Sequence, residues 1–321
     1  MKLKSLIIAG VSALAISAVA AVPASAKTFK FAFQGDAQSL DPHSLNETFT
    51  LGMLGNIYES LIAYDKDMQK TPALATKWES VTPTKWKFTL RQGVKFHNGN
   101  AFTADDVIFS WERMGSEGSD QKARAGLISK MTKVDDFTLM IETPVPNPSV
   151  LNEMTFMYIM DKEWAEKNNA VRSSSPKDAG RDGSYATTNA NGTGPFMVES
   201  RQPDVKTVML RFSDHWNKNI ASNVTRVEFT PIKQAATRVA ALLSGQIDLV
   251  YPVPVQDWKR LNDAPGVKAL AGPEARTIFL GMDQDRDELL FSSVKGKNPF
   301  KDVRVRRAFA HAIDLNAIKK A

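Results

Sequence analysis

The chain of 321 residues contains no cysteine. Its absence excludes disulfide bonds, thiolate metal ligands and catalysis by a nucleophilic thiolate. Hydrophobic residues make up 43% of the sequence, so the chain can bury a sizeable core. At this length we expect two or more lobes rather than a single core.

Histidine is also scarce. The four histidines are far apart in the sequence, and no two of them form a motif of the H-E-x-x-H kind. The favoured interpretation places them at turns and on helix surfaces, although a metal site assembled from distant positions stays open. We therefore predict no metal site and no cofactor. The histidines are His43, His97, His215 and His311.

Two enzyme signatures are missing from the sequence. There is no G-x-S-x-G elbow, and no local arrangement of serine, histidine and aspartate is typical of a triad. Because triads assembled in space leave no linear trace, a secreted hydrolase stays open as an alternative. The segment Gly192-Thr193-Gly194 lacks the G-K-[ST] ending of a nucleotide-binding loop, and Pro195 removes a backbone donor. A tight turn between domains is the favoured interpretation of this segment.

Charge is dispersed along the chain. The formal net charge is +6 at pH 7, and no long block of one sign occurs. A small excess of positive charges that is spread along the chain favours solubility and gives no support for nucleic-acid binding.

The N-terminus carries a targeting pattern. Lys2 and Lys4 precede an apolar run from Leu6 to Val22, which is followed by Ala24-Ser25-Ala26. The run is short for a membrane span and is followed by small residues typical of a cleavage site. We predict a cleavable signal peptide over residues 1–26, a mature protein that begins at Lys27, and a periplasmic location.

Hydrophobic periodicity predicts several elements. The patterns predict strands at 28–33, 137–142, 227–231 and 247–251, and further strands near Met197 and Val208. They also predict helices over 51–61, from Ala235 to a stop at Gly245, and from an N-cap at Asp302 to Ala321. Tryptophans are interpreted mainly as core residues; these are Trp86, Trp111, Trp164, Trp216 and Trp258.

The segment from Trp86 to Trp111 joins a strand, a turn and a helix. Trp86, Phe88 and Leu90 alternate with polar residues, which puts them on one face of a strand. Asn98-Gly99 predicts a turn, and Thr103 followed by Asp106 predicts a capping box at a helix start.

This segment, WKFTLRQGVKFHNGNAFTADDVIFSW, resembles the signature of the extracytoplasmic solute-binding proteins of peptide-type ABC transporters, solute-binding family 5. The resemblance extends in order through GTGPF at 192–196, SGQID at 244–248 and NPFKDVRVRRAFAHAID at 298–314. One departure is Asn98, where an acidic residue is usual before the glycine.

The resemblance implies an α/β fold of the type II, cluster C periplasmic-binding-protein class, with two lobes and an extra domain. Domain I would comprise 27–62 and 191–284, domain II 63–190, and domain III would begin at 285. Family members are considerably longer, so we expect the chain to end partway through domain III.

The resemblance also implies a function. The protein would be the periplasmic substrate-binding component of an ABC importer, without enzymatic activity, a monomer that delivers di- or oligopeptides to the permease subunits. Nickel, haem or an oligosaccharide are alternative ligands within the family. The predicted ligand contacts lie after the first strand, after the SGQID strand and on a predicted strand over 277–282; they are Gln38, Ser39, Leu40, Tyr251, Phe279 and Gly281. The salt-bridging residues for a peptide's ends would lie mostly beyond Ala321.

Overall fold

The structure is a computed structural model that describes residues 26–174, 184–272 and 278–320. The predicted signal peptide lies outside these residues, apart from Ala26. By contacts, the chain divides into two units, Met1–Ala269 and Leu270–Ala321. Within the described ranges, none of the helices combines the length and apolar character needed to cross a membrane.

Eleven strands occur in the described ranges, all in the first unit. They are β1 (Lys27–Phe33), β2 (Ile62–Tyr64), β3 (Lys70–Pro72), β4 (Ala75–Thr82), β5 (Lys85–Leu90), β6 (Lys130–Asp135), β7 (Thr138–Glu142), β8 (Phe196–Gln202), β9 (Lys206–Arg211), β10 (Val224–Pro231) and β11 (Leu249–Val250).

Nine α-helices are present in the same ranges, and several of them are single turns. They are α1 (Thr48–Leu54), α2 (Ala104–Met114), α3 (Lys122–Ala125), α4 (Val150–Glu153), α5 (Lys162–Lys167), α6 (Ala235–Leu243), α7 (Trp258–Asp263), α8 (Val303–Ala312) and α9 (Leu315–Lys320).

The strands form two main sheets in the first unit. The five-stranded sheet has the order β11-β1-β10-β9-β8, in which β1 runs parallel to β10 and to β11. The four-stranded sheet, of order β4-β5-β7-β6, is antiparallel throughout, and β2 with β3 forms a separate hairpin.

Both faces of the five-stranded sheet are packed. On one face, Ala32 contacts a small buried cluster that includes Ala241 of α6. On the other, Phe31 and Phe33 of β1 pack towards Met53 and Phe49 of α1. Because the side chains of a strand alternate between faces, one short strand supplies both layers.

The larger hydrophobic core of the first unit packs against the four-stranded sheet. Phe88 and Leu90 of β5 are buried together with Leu139 and Ile141 of β7 and Val107 of α2. The predicted capping box is confirmed, since Asp106 Oδ2 accepts the Thr103 backbone N–H at 2.9 Å. Gly99 has φ +96°, as the predicted turn requires.

Two predicted helices differ from the structure. The helix predicted over 51–61 ends at Leu54, because the following backbone pairs with other segments: Phe196 donates to the Asn56 carbonyl at 3.0 Å, and Gly194 to the Ile57 carbonyl at 2.9 Å. The helix predicted over 302–321 has its N-cap at Asp302, as expected, but breaks at Ile313, where the Asp314 carboxylate accepts the backbone N–H of Asn316 and begins α9.

Two predicted strands also differ. The strand predicted over 247–251 is confirmed only as β11, which pairs with β1 through Leu249 and Val250. The strand predicted over 277–282 is wrong for its described residues, 278–282, which have no strand conformation. A strand needs backbone partners on a neighbouring segment, and none of the described segments provides them here.

Candidate functional site

The candidate site lies at the carboxyl ends of the parallel strands β1 and β11. The Ile232 N–H donates to the Phe33 carbonyl at 2.8 Å, and the Tyr251 N–H donates to the Ala32 carbonyl at 3.1 Å. The ends of these strands are therefore held side by side. In open α/β sheets this edge is where ligands usually bind.

Three aromatic rings stack at this edge, and we call them the aromatic ladder: Phe33, Phe49 and Tyr251. The ring centroids of Phe33 and Phe49 lie 3.8 Å apart at an interplanar angle of 7°, and those of Phe33 and Tyr251 lie 5.7 Å apart at 15°. Phe229, which is fully buried, packs against Phe49 from the interior, with centroids 5.3 Å apart. The ladder therefore joins the core to the surface.

Tyr251 is the exposed end of the ladder. Its side chain is 51% exposed, although its ring stacks on Phe33. Among the described residues its hydroxyl has no hydrogen-bond partner, so both a ring surface and a polar group are available to a ligand.

The segment after β1 brings Gln38 near the ladder. Its backbone N–H donates to Thr50 Oγ1 at 3.2 Å, one residue beyond Phe49, and its side chain is exposed. Ser39 and Leu40, which were predicted beside it, are fully buried. The Ser39 hydroxyl accepts the Asp41 N–H at 3.0 Å, so these two side chains support the segment and are not presented at its surface.

An ion pair anchors the same segment to β8. The carboxylate of Asp36 contacts the Arg201 guanidinium at 3.2 Å, and both side chains are nearly buried. Arg201 also donates to the Ala37 carbonyl, and Asp36 accepts the Asp204 N–H at 2.8 Å. The Asp36 charge is thereby compensated inside the protein.

Phe279 and Gly281 lie in the other unit, Leu270–Ala321. The Phe279 side chain is 78% exposed, and Gly281 is exposed as well. Their predicted role as ligand contacts stays a prediction.

A buried polar cluster behind the candidate site was not predicted from the sequence. Arg113 donates to both carboxylate oxygens of Asp41, at 2.7 and 2.5 Å, and to His43 Nδ1 at 3.1 Å. Burial alone would raise the pKa of Asp41, but the Arg113 charge holds it below its usual value. Burial, together with the Arg113 charge, lowers the pKa of His43 to about 4.

A second polar cluster joins the two sheets around Glu59. Its carboxylate accepts from Trp216 Nε1 at 2.9 Å, from Thr193 Oγ1 at 2.8 Å and from His215 Nε2 at 3.3 Å. The Arg91 guanidinium lies 3.7 Å from the centroid of the Trp216 ring. A cavity of about 360 Å³ adjoins this cluster, but the oxygens of Glu59 are already used inside the protein.

Three histidines lie where the sequence predicts them: His43 and His97 are in turns, and His311 is exposed on α8, whereas His215 follows a turn. His43 and His215 are also buried and bonded within the two polar clusters. Among the described residues, no group of three or more histidine, aspartate or glutamate side chains is arranged to hold a metal ion.

The comparison with protein families decides the assignment. The model described as bacterial extracellular solute-binding proteins, family 5 Middle, matches residues 69–321. The chain belongs to the family 5 solute-binding proteins. The family resemblance predicted from the sequence motifs is therefore confirmed. Members of this family are binding proteins rather than enzymes.

Two family 5 relatives resemble the chain over nearly all of its length. The glutathione-binding protein GsiB of Pectobacterium atrosepticum is 27% identical over 98% of this chain. The dipeptide-binding protein of Escherichia coli is 27% identical over 97% of it. The chain spans 57% and 58% of the lengths of these two proteins.

A solved family 5 structure has the same fold. The ABC transporter-associated periplasmic binding protein DppA from Helicobacter pylori, in complex with the peptide STSA, superposes with a TM-score of 0.65. It is 26% identical, and the match covers 74% of this chain and 49% of DppA. The predicted α/β fold of the type II periplasmic-binding-protein class is confirmed.

The sequence predicts one member of the aromatic ladder, Tyr251, as a ligand contact. It predicts Phe33 only as part of a strand and gives Phe49 no role. The available signal was the alternation of Phe29, Phe31 and Phe33, which places all three rings on one face and the last of them at the strand's carboxyl end. The stacking of Phe33 on Phe49 depends on how α1 packs against β1, and this packing cannot be predicted from the local residue pattern.

Proposed function

We propose that the protein is the periplasmic substrate-binding component of an ABC importer, which captures di- or oligopeptides and delivers them to a membrane permease. The family match over residues 69–321 carries this proposal. The names of the relatives add support, since one is a dipeptide-binding protein and another binds glutathione, itself a modified tripeptide. The periplasmic location rests on the N-terminal pattern and on the name of the H. pylori protein.

In the proposed mechanism the protein binds a peptide without catalysing any reaction on it. A peptide needs hydrogen-bonding groups for its main chain and complementary surfaces for its side chains. The carboxyl ends of β1 and β11 offer both, through the exposed amide of Gln38 and the exposed face of Tyr251. Because the side chains of Ser39 and Leu40 are buried, these residues would contribute only through their main chain. Phe279 and Gly281, which lie in the other unit, stay separate predicted contacts.

We further propose the domain assignment that the sequence predicted. The five-stranded sheet would be the centre of domain I, built from 27–62 and 191–284. The four-stranded sheet would be the centre of domain II, within 63–190, and domain III would begin at 285. The chain passes between the two sheets near Ile57 and again near Gly194, where the two crossings are hydrogen-bonded to each other. The protein would act as a monomer, because a closing cleft needs no second copy.

The alternatives make different predictions about the ligand. Nickel, haem or an oligosaccharide would replace the peptide if the protein served another branch of the family. A secreted hydrolase would convert a peptide rather than hold it.

The experiment that tests the proposal is identification of the ligand that copurifies with the protein expressed from its complete reading frame, with added peptides followed by chromatography. A bound, intact peptide supports the proposal. A bound metal, haem or sugar would replace the proposed ligand class, and accumulating cleavage products would replace binding by hydrolysis.

A further inference from the structure

The exposed ring of Tyr251 has an orientation that the packing of the protein determines. It stacks on Phe33 at an interplanar angle of 15°, and Phe33 stacks on Phe49 at 7°. Phe49 belongs to α1, whose first turn is held by the Glu47 carboxylate through the N–H groups of Phe49 and Thr50, each at 2.8 Å. A helix and two strands therefore hold the ladder in place.

A ring held in this way offers a preorganised flat surface. An exposed aromatic side chain usually loses rotamer freedom when a ligand binds, and this loss weakens binding. The Tyr251 ring has already been ordered by its contact with Phe33. Another aromatic group can then add to the stack in an offset geometry, which strengthens binding beyond the effect of the area it buries.

The charges near the ladder favour an uncharged partner. Gly35 lies beside the Phe33 ring, since a Cβ built on it would be 3.7 Å from that ring. Two carboxylates belong to the segments around the ladder. That of Asp36 is paired with Arg201, and that of Glu47 accepts two backbone N–H groups of α1. Both therefore already have partners inside the protein and are not offered to a cationic ligand side chain above the ring.

We propose that Tyr251 is a specificity-determining residue, which favours peptides that place an aromatic side chain on the aromatic ladder. This inference rests on the proposed function, because it names the class of peptide that the same site takes. The ring provides the preference. The free hydroxyl donates a hydrogen bond to a main-chain carbonyl of the ligand and so strengthens the binding of all peptides alike.

The test measures peptide affinity by calorimetry with the protein expressed from its complete reading frame. Alanine-based di- and tripeptides carry Phe, Trp, Lys or Ala at each position in turn. We expect the wild type to bind the best Phe or Trp peptide more tightly than the Ala peptide. Tyr251→Ala should lower this ratio by roughly two- to tenfold. Tyr251→Phe should keep the ratio, because the ring remains.

The control is Phe156→Ala, which removes another partly exposed aromatic ring, one that contacts Arg124. It should leave the ratio unchanged, and circular dichroism checks that each variant is folded. A ratio that Tyr251→Ala does not change, a wild type without aromatic preference, or a preference for Lys would overturn the inference. A wild type that binds none of the peptides would overturn the proposed function itself and the inference with it.

Discussion

His43 is a neutral imidazole in the protein interior. Its Nδ1 accepts a hydrogen bond from Arg113 at 3.1 Å, so the proton resides on Nε2, which donates to the Tyr158 carbonyl at 2.9 Å. Burial and the Arg113 charge lower its pKa from 6.5 to about 4. The unfolded chain therefore takes up a proton at a higher pH than the folded protein does.

This difference makes stability depend on pH. As pH falls from 6.5 to 4, the unfolded state gains a proton that folded His43 resists, so the free energy of unfolding falls, by about 3 kcal/mol once the window is crossed. His43→Gln cannot titrate there. We expect it to be less stable than the wild type at pH 7.5, with a deficit that shrinks by pH 4. Urea unfolding at several pH values measures this, and a constant deficit would contradict the assigned pKa.

Asn98 is one of the positions at which the sequence is expected to depart from the resembled signature, and its neighbours give the amide a structural role. Its Nδ2 donates to Asp161 Oδ2 at 2.7 Å, and that oxygen also accepts from Asn100 and Asn191, each at 2.9 Å. Asp161 is almost fully buried. An aspartate at position 98 would replace a donor by a second carboxylate next to this one.

Asn98→Asp should therefore destabilise the protein by roughly 2–3 kcal/mol at pH 7. Two close carboxylates raise one folded-state pKa, so the folded variant binds a proton more readily and the penalty should shrink as pH falls. The matched control is Asn219→Asp at an exposed position, which should change stability little. Thermal unfolding at pH 7 and pH 4 measures the stability of both variants. Equal losses of stability in the two variants would refute the role given to Asp161.

The segment Gly192–Gly194 packs closely against the backbone at Ile57. A Cβ on Gly192 would lie 2.1 Å from the Ile57 carbonyl oxygen, and one on Gly194 would lie 2.7 Å from the same atom. The need for glycine here comes from close backbone approach, because neither residue has a positive φ. In α1, by contrast, a Cβ on Gly52 would meet nothing within 4 Å.

The same substitution should have opposite effects in these two elements. Gly192→Ala must move backbone and should cost several kcal/mol, about 3 or more, or prevent folding. Gly52→Ala adds a better helix former in open space and should stabilise by roughly 0.5–1 kcal/mol. Denaturant midpoints and slopes measure both. Equal stability of the Gly192 variant and the wild type would show that the two crossings are not packed as described.

These elements show what the sequence can predict. The Thr103–Asp106 cap, the turn at Gly99 and the helix end at Gly245 depend on neighbours in the chain, and all were predicted. The early end of α1 depends on residues 192–196, which are far away in sequence. The aromatic ladder likewise needs α1 and β11 to meet β1. Contacts between residues that are distant in sequence cannot be predicted from the local residue pattern. Tyr251 could be predicted because it directly follows a strand.

At the scale of the whole molecule, the motifs in order predicted the family and the fold, and both are confirmed. The identity of the ligand is harder to predict from the sequence than the fold is. The predicted contacts divide between the two units, with Phe279 and Gly281 in the second, and side-chain selectivity depends on surfaces such as the exposed face of Tyr251. Peptide capture therefore stays the central proposal.

Native mass spectrometry of the protein, expressed from its complete reading frame and purified from the periplasm, tests that proposal most directly. We predict a population that carries one extra mass per chain, released on denaturation and identified by fragmentation as an intact peptide. Added peptide should replace it and be recovered uncleaved. A metal, haem or sugar in its place, or peptide fragments alone, would contradict the account.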